Sequence, residues 1–390
     1  MEIKQISVIG SGAMGSGIAQ VAAQNDYKVA VYDVNPVALQ NAAAKLSDTL
    51  EKLQAKGKFS PEKVAQIKQN ILWSNKLSEV AKGQLIIEAI VEDLSSKQLL
   101  YREIELLAPE NTIFASNTSS LSIAALASVL KNPANFVGLH FFNPVPLMKL
   151  VEIIPALQTH PSLIATLQKL MQDWGKVPVL AKDTPGFIVN KVARPFYGEA
   201  LRIYEEGIAS FAEIDYSMKN YGGFRMGPFE LMDFIGNDIN YAVTESVFLA
   251  FYFDPRYKPA FAQKKMVDAN WLGRKTAKGY YTYPLENEAT PAILPDETKA
   301  KAIFERVLAM LINEAADTLF WQIATAEDID TAMRYGTNYP KGLLQWANDW
   351  GIANVVSYMD NLYETYREDR YRCSPLLRKM ASENKLFFQA

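Results

Sequence analysis

Two histidines occur in 390 residues, His140 and His160. The first lies within residues 135–155, NFVGLHFFNPVPLMKLVEIIP, which reads as an apolar strand running into His140, a proline-bounded loop holding Asn143, Pro144 and Pro146, and a second strand carrying Glu152. An imidazole that titrates near neutrality, with a carboxylate in reach of its far ring nitrogen, is a pair suited to moving a proton on and off an oxygen. Taken alone, the same pattern equally describes a core histidine satisfied by a hydrogen bond. A polar run at residues 116–120, SNTSS, follows another apolar strand and can present hydroxyls to a site or cap a helix. For Ser120 both readings stand; for Ser119 the site reading is preferred.

The elements that must position these groups begin at the N-terminus. Residues 3–9 predict an apolar strand, then Gly10-Ser-Gly12-Ala13-Met14-Gly15 opens into a helix over 16–24. A second strand over 28–32 ends at Asp33. A glycine motif of this spacing is weak by itself, but strand before, helix after and an acidic residue closing the next strand are the context of dinucleotide binding. Gly10 permits the tight turn, Gly12 lets the backbone approach a pyrophosphate at the helix N-terminus, and Gly15 lets the helix pack on the strand. Asp33 is placed to accept from ribose hydroxyls, and Val34 and Asn35 after it offer no arginine for a 2′-phosphate, which favours NAD over NADP. Residues 36–70 predict a lysine-rich helical hairpin. Strands over 84–89 and 112–115 and helices over 94–107 and 121–129 then alternate, the mark of a mostly parallel sheet covered on both faces. Ligands of such sheets sit outside the carboxyl ends of the strands, where Glu92, residues 116–120 and His140 fall.

After a last strand over 176–182 the chain turns helical. Asp183-Thr-Pro-Gly-Phe187 reads as a turn and helix start, with helical periodicity over 188–206. An internal repeat follows at an offset of 115 residues: Glu199 and Glu314, Ile214-Asp215 and Ile329-Asp330, Met218 and Met333, Phe224 and Tyr339, Gly227 and Gly342, Gly236 and Gly351. A repeat of this length means a duplicated helical domain. Asn190 falls on Glu305, so the second copy lacks that asparagine and reads as structural.

Composition bounds the rest. With 49% apolar and 21% charged residues and a net charge of −3, the chain is an ordinary globular one, ill suited to general nucleic-acid or membrane-surface binding. The single cysteine, Cys373, excludes an internal disulfide and a cysteine-built metal site, and favours a cytoplasmic location. No signal segment or membrane-spanning run is visible.

With these residues assembled, the chain resembles the L-3-hydroxyacyl-CoA dehydrogenase family along nearly all its length. The likeness rests on Gly10-Ser-Gly-Ala-Met-Gly-Ser-Gly17, Glu88-Ala-Ile-Val-Glu92, residues 116–120, Gly138-Leu-His-Phe-Phe-Asn-Pro144, Asp183-Thr-Pro-Gly-Phe-Ile-Val-Asn190 and Met226-Gly-Pro-Phe-Glu-Leu-Met-Asp233. The duplicated tail is similar to the longer bacterial branch, which includes 3-hydroxybutyryl-CoA and 3-hydroxyadipyl-CoA dehydrogenases. The resemblance implies an α/β Rossmann-like NAD-binding domain over 1–184 and an all-α domain in two copies, 185–284 and a degenerate 297–390. It also implies NAD-dependent, reversible oxidation of the 3-hydroxyl of an acyl-CoA, as in fatty acid β-oxidation. His140 would be the base and Glu152 its partner; Ser119 and Asn190 would hold the reacting oxygen; Asp33, Glu92, Lys97, Ser119 and Asn143 would help to place NAD. A site using His140 and Asn190 draws on both kinds of domain, and the lysine-rich hairpin, through Lys52, Lys56 and Lys58, is the expected receiver of CoA phosphates. No hydratase half is expected ahead of the first strand. The second helical copy is expected to replace a dimer partner, leaving monomer and homodimer both open.

Two rival readings remain. A β-hydroxyacid dehydrogenase acting on a free acid would use a lysine as base, for which Lys191 stands beside Asn190; a non-catalytic NAD-binding protein would need none of these groups. Arg225, Arg367, Arg370, Arg372 and Arg378 are candidate partners for a substrate carboxylate, but are expected on solvated helix faces.

Overall fold

The computed structural model describes residues 3–284 and 296–389, in two units, Met1–Thr184 and Pro185–Ala390. In the first unit the chain runs β1 (Gln5–Ile9), α1 (Ala13–Gln24), β2 (Lys28–Tyr32), α2 (Pro36–Ala55), α3 (Pro61–Gln69), β3 (Ile71–Ser74), α4 (Leu77–Val80), β4 (Leu85–Glu88), α5 (Leu94–Glu105), β5 (Ile113–Ser116), α6 (Ile123–Ala127), β6 (Phe136–Phe141), β7 (Leu150–Pro155), α7 (Ser162–Asp173) and β8 (Val177–Leu180). One eight-stranded sheet results, ordered β3-β2-β1-β4-β5-β6-β7-β8. Its neighbours are parallel except β6 and β7, which a short loop joins as an antiparallel pair. Ile6, Val8, Val29, Val31, Leu85, Ile87, Val137, Leu139 and Ile153 are buried in it as near-continuous apolar runs, as strands covered on both faces require. The order reverses between β1 and β4, and that crevice is where ligands of open α/β sheets bind.

Two capped helices follow β2: Asn35 accepts from Val37 and Ala38 N–H to start α2, and Ser60 accepts from Lys63 N–H to start α3. The chain does not return directly to the fourth strand, however. Residues 71–74, ILWS, pair with β2 as an edge strand, and α7 likewise has no counterpart in the sequence reading.

In the second unit, α8 (Val189–Val192), α9 (Arg194–Glu205), α10 (Phe211–Gly222), α11 (Pro228–Ile235), α12 (Asn237–Ala250) and α13 (Phe261–Asp268) are followed by α14 (Glu297–Phe320), α15 (Ala326–Gly336), α16 (Leu343–Trp350), α17 (Ile352–Tyr366) and α18 (Pro375–Ser382). The helix expected over 188–206 is two helices. Gly186 and Phe187 both have positive φ, which delays the start to Val189, and Pro195, without an N–H, sits in the first turn of α9 where the second segment begins. Helices α10 to α12 recur 115 positions on as α15 to α17.

Candidate active site

Antiparallel pairing of β6 with β7 sets His140 directly opposite Glu152. Side chains of directly opposed residues share a face of the sheet, and here the imidazole Nδ1 lies 2.6 Å from Glu152 Oε2. Glu152 is fully buried and His140 is 6% exposed. A carboxylate only accepts, so Nδ1 carries the hydrogen and Nε2 is left as the basic nitrogen. Phe142 packs 4.4 Å from the ring, and Asn117 Oδ1 accepts from Phe141 N–H at 2.8 Å, fixing the strand end that presents the histidine.

The neighbouring strand ends carry a second cluster. Glu92 accepts through Oε1 from Thr118 Oγ1 at 2.6 Å, Ser119 N–H at 2.9 Å and the Ser119 and Ser120 hydroxyls at 3.3 and 3.2 Å. Burial pushes its carboxyl up, but the Lys97 charge and these donors outweigh that and hold it below the usual carboxylate range. Lys97 is 1% exposed, donates to Glu88 Oε1 at 2.5 Å and lies 3.4 Å from Glu92. Its ammonium therefore acts through Glu92 and Glu88. Glu88, which in the sequence stands only inside a motif, is fully buried beneath Lys97, Ser116 and Tyr101 and anchors the cluster.

A cavity of about 560 Å³ opens beside the glycine turn, lined by Ser11, Gly12, Ala13, Asp33, Lys45 and Asn143 among others. At Gly12 an added Cβ would meet nothing within 4 Å, so the backbone is open to a ligand there. At Gly10, which has φ +104°, a Cβ would fall 2.5 Å from Ala89 O, and at Gly15 it would fall 1.9 Å from Gly10 O. Those two glycines, with Met14 packed against the core, shape the turn from behind. Asp33 Oδ2 accepts from Ser11 N–H and Oγ, at 2.9 and 2.6 Å, whereas Oδ1 takes one donor, Asn35 N–H, and keeps capacity for a hydroxyl. Burial raises its carboxyl, yet these bonds hold it below its ordinary value, so it is ionised at neutral pH. The open glycine turn, bare helix N-terminus and acidic acceptor fit the pyrophosphate and ribose of NAD. Asn143 belongs to a loop whose Val145 and Met148 carbonyls accept from the buried Lys176, the latter at 2.7 Å. Burial pulls that lysine down to about 8. In the sequence Lys45 is one of several hairpin lysines and Lys176 the start of a strand, with nothing in the local pattern to mark either.

Of the hairpin lysines, Lys52, Lys56 and Lys58 are exposed, and among the described residues none has a carboxylate at ion-pair distance. They do not line the cavity; Lys45 takes that place. Asn190 lies in α8 of the second unit, its carbonyl accepting from Arg194 Nε at 2.9 Å. Lys191 is 1% exposed and donates to Glu314 and, at 3.0 Å, to Thr318 Oγ1. That ion pair within the helical unit makes Lys191 a packing group and removes the basis for the lysine-base reading. The expected solvated arginines divide: Arg378 and Arg367 pair on the surface with Asp360 and Glu364, but Arg370 is buried, contrary to expectation.

Similarity to known proteins runs along nearly the whole chain. The family described as 3-hydroxyacyl-CoA dehydrogenase, NAD binding domain, matches residues 5–184, and its C-terminal domain matches twice, over 186–283 and 303–387. The chain is 35% identical to 3-hydroxyadipyl-CoA dehydrogenase of Escherichia coli (strain K12), covering 98% of each. It is 41% identical to the mitochondrial hydroxyacyl-coenzyme A dehydrogenase of Sus scrofa, over 72% of this chain and 91% of that one. Among solved structures, 3-hydroxybutyryl-CoA dehydrogenase from Escherichia coli K12 superposes with a TM-score of 0.93 at 34% identity, covering 98% of this chain and 99% of the other.

Proposed function

The chain belongs to the 3-hydroxyacyl-CoA dehydrogenase family, and on that premise we propose that His140 takes the proton of the substrate hydroxyl, with Glu152 fixing its tautomer. The reaction is the NAD-dependent, reversible oxidation of a 3-hydroxyacyl-CoA to the 3-ketoacyl-CoA. Bound NAD supplies the hydride acceptor. Everything else falls to the chain's own side chains. Nε2 of His140 accepts the hydroxyl proton, and the buried Glu152 carboxylate stabilises the imidazolium that forms. Ser119, its N–H held by Glu92, turns its hydroxyl from that carboxylate to the reacting oxygen, and Asn190 is the second hydrogen-bond donor to it as charge builds. In the reverse direction His140 returns the proton. Gly12, Ala13, Asp33 and Asn143 line the cofactor cavity, and Lys97 holds Glu92 in place.

The 2.6 Å His140–Glu152 contact carries this reading. Replacing His140 with Gln keeps a neutral polar group and removes the base; NADH affinity is expected to stay the same while turnover of acetoacetyl-CoA falls about 10²- to 10⁴-fold. Near-normal turnover would take His140 out of the mechanism.

Lys52, Lys56 and Lys58 are the proposed receivers of the CoA phosphates, because they are exposed and not committed to carboxylates. Alanine at Lys56 and Lys58 should raise the KM for acyl-CoA and spare that for NADH; equal rises in both would count against them. Cys373 is buried, which pushes its thiol up to about 12; an inert thiol of this kind fits a cytoplasmic enzyme, and no described helix is long and apolar enough to cross a membrane. A kinetic panel of short, long and ω-carboxylated 3-ketoacyl-CoAs would define the acyl chain.

A further inference from the structure

The two helical copies are related by exchange. Lys191 of the first pairs with Glu314 of the second, and Arg306, 115 positions after Lys191, pairs with Glu199, 115 positions before Glu314. Tyr257 donates to Glu314 and Tyr371 to Glu199 in the same reciprocal way. These four bonds are exchanged between the copies, and a departure from the exchange is informative.

One departure is a buried cation. Arg256 lies among three carboxylates, donating to Asp254 at 3.1 and 3.3 Å and to Asp317, with Glu314 3.5 Å away. Its mate, 114 positions on, is Arg370, 6% exposed. The mate of Asp317, 115 positions back, is Arg202, a second cation, and the mate of Asp254 is Glu368, which Arg202 engages through both oxygens at 2.8 and 2.5 Å. Among the described residues the Arg370 guanidinium is left with no hydrogen bond and no ion pair. A buried unpaired guanidinium is costly unless an anion meets it.

The second departure is space. In one half Asn313 fills the junction, donating to Arg372 O at 3.0 Å and accepting from Ser374 N–H at 2.7 Å. In the other half the matching positions are Gly198, Lys258 and Ala260. With no side chain at Gly198, a cavity of about 400 Å³ lies there, lined by Gly198, Arg202, Lys258, Ala260, Glu368 and Arg370 among others. A Cβ built on Gly198 would come no nearer than 4.0 Å to any atom, that atom being Arg370 Nη2.

We propose that this cavity binds a small monocarboxylate, its oxygens taking on Arg370 the place that Asp317 takes on Arg256, with Lys258 and the Ala260 N–H beside it. A guanidinium fork matches a carboxylate through two parallel hydrogen bonds. A phosphate dianion fits less well, because Glu205, Glu206 and Glu368 also line the cavity and repel the second charge. Pro255, Pro259 and Phe261 give the remainder of the ligand an apolar wall.

Thermal unfolding of the full chain tests this. Sodium acetate and sodium benzoate at 20 mM should each raise the Tm by about 2 °C over sodium chloride at equal ionic strength, and the rise should vanish in Arg370→Met. Should that variant not fold, Gly198→Asn decides: it places in the cavity the side chain that the other half already carries, so it should fold, raise the Tm without ligand and abolish the carboxylate effect. No carboxylate-specific rise in the wild type, or a rise that survives in Gly198→Asn, overturns the site. A larger rise with inorganic phosphate, lost in the same variants, overturns the monocarboxylate assignment.

Discussion

The helices of residues 211–250 and 326–366 follow one plan, and the residues they share differ in kind from those they do not. Asp215 accepts from Phe229 and Glu230 N–H at the start of α11, and Asp330 accepts from Leu344 and Gln345 N–H at the start of α16. A Cβ on Gly227 would fall 2.4 Å from Asp215, and one on Gly342 would fall 2.1 Å from Asp330, so each copy needs glycine for the same close approach. Where the copies diverge, the first carries Asn190 and the second Glu305. Asp233 takes Tyr280 N–H, Tyr281 N–H and the Tyr283 hydroxyl, whereas Asn348, its mate, holds Phe387 N–H and Phe388 O. Shared positions build the fold, and the second copy keeps that fold with Glu305 in place of the asparagine. We infer that the second copy serves the first as a built-in partner, covering a face that a single-copy chain would offer to another subunit.

Ending the chain after Pro284 attacks this inference with the largest expected effect. It strands Lys191 and Glu199, each 1% exposed, without their ion-pair partners and uncovers Phe196 and Phe224, which pack against Tyr339. An unfolded or insoluble product is expected in expression and gel filtration; a soluble, unchanged monomer would refute the partner role. Single substitutions grade the same junction. Glu314→Ala leaves Lys191 buried without a carboxylate, at a cost of about 3–5 kcal/mol. Glu199→Ala should cost less, because Arg306 keeps Glu206 at 2.8 and 3.1 Å. Urea unfolding of both variants measures the difference, and equal losses would show that the junction is not graded by the remaining partners.

Activity separates the copies next. Asn190→Ala should lower kcat about 10²-fold if it hydrogen-bonds the reacting oxygen. Glu305→Ala at the matching position removes only a 3.7 Å surface contact with Lys301 and should leave kcat unchanged and stability within about 0.5 kcal/mol. Matching losses at the two positions would erase the functional asymmetry.

Much of this was legible in the sequence because it is written in local patterns. The glycine turn, Asp33 and the strand carrying His140 announce themselves through spacing, and the repeat through identities at a fixed offset. The edge strand β3 is only four residues, ILWS, with two of its side chains open to solvent or half-buried, so no alternation marks it. The Lys191–Glu314 and Lys97–Glu88 pairs depend on which residues the fold brings together, and no sequence separation foretells a bond across 123 positions. For Arg370 the sequence pointed the wrong way, since an arginine in a charged segment is usually solvated, whereas the fold buries this one beside Gly198.

Two buried lysines give the last and smallest contrast. Lys191 of the helical unit has a carboxylate; among the described residues Lys176 of the first unit has the Val145 and Met148 carbonyls alone, and burial pulls it down to about 8. Its value in the folded chain is then below the unfolded value of about 10.4. Between pH 8 and 10.4 the unfolded chain binds more protons, so this group's contribution to stability rises with pH in that window. Its grip on the loop moves the other way, since a neutral amine donates more weakly than an ammonium. That loop carries Asn143 and lines the cofactor cavity. The wild-type KM for NADH should therefore climb about threefold between pH 7 and 9, relative to Lys176→Met, in which it should be higher at pH 7 and free of this step. The same pH profile in both proteins would detach Lys176 from the cofactor loop and leave it a structural clamp like Lys191.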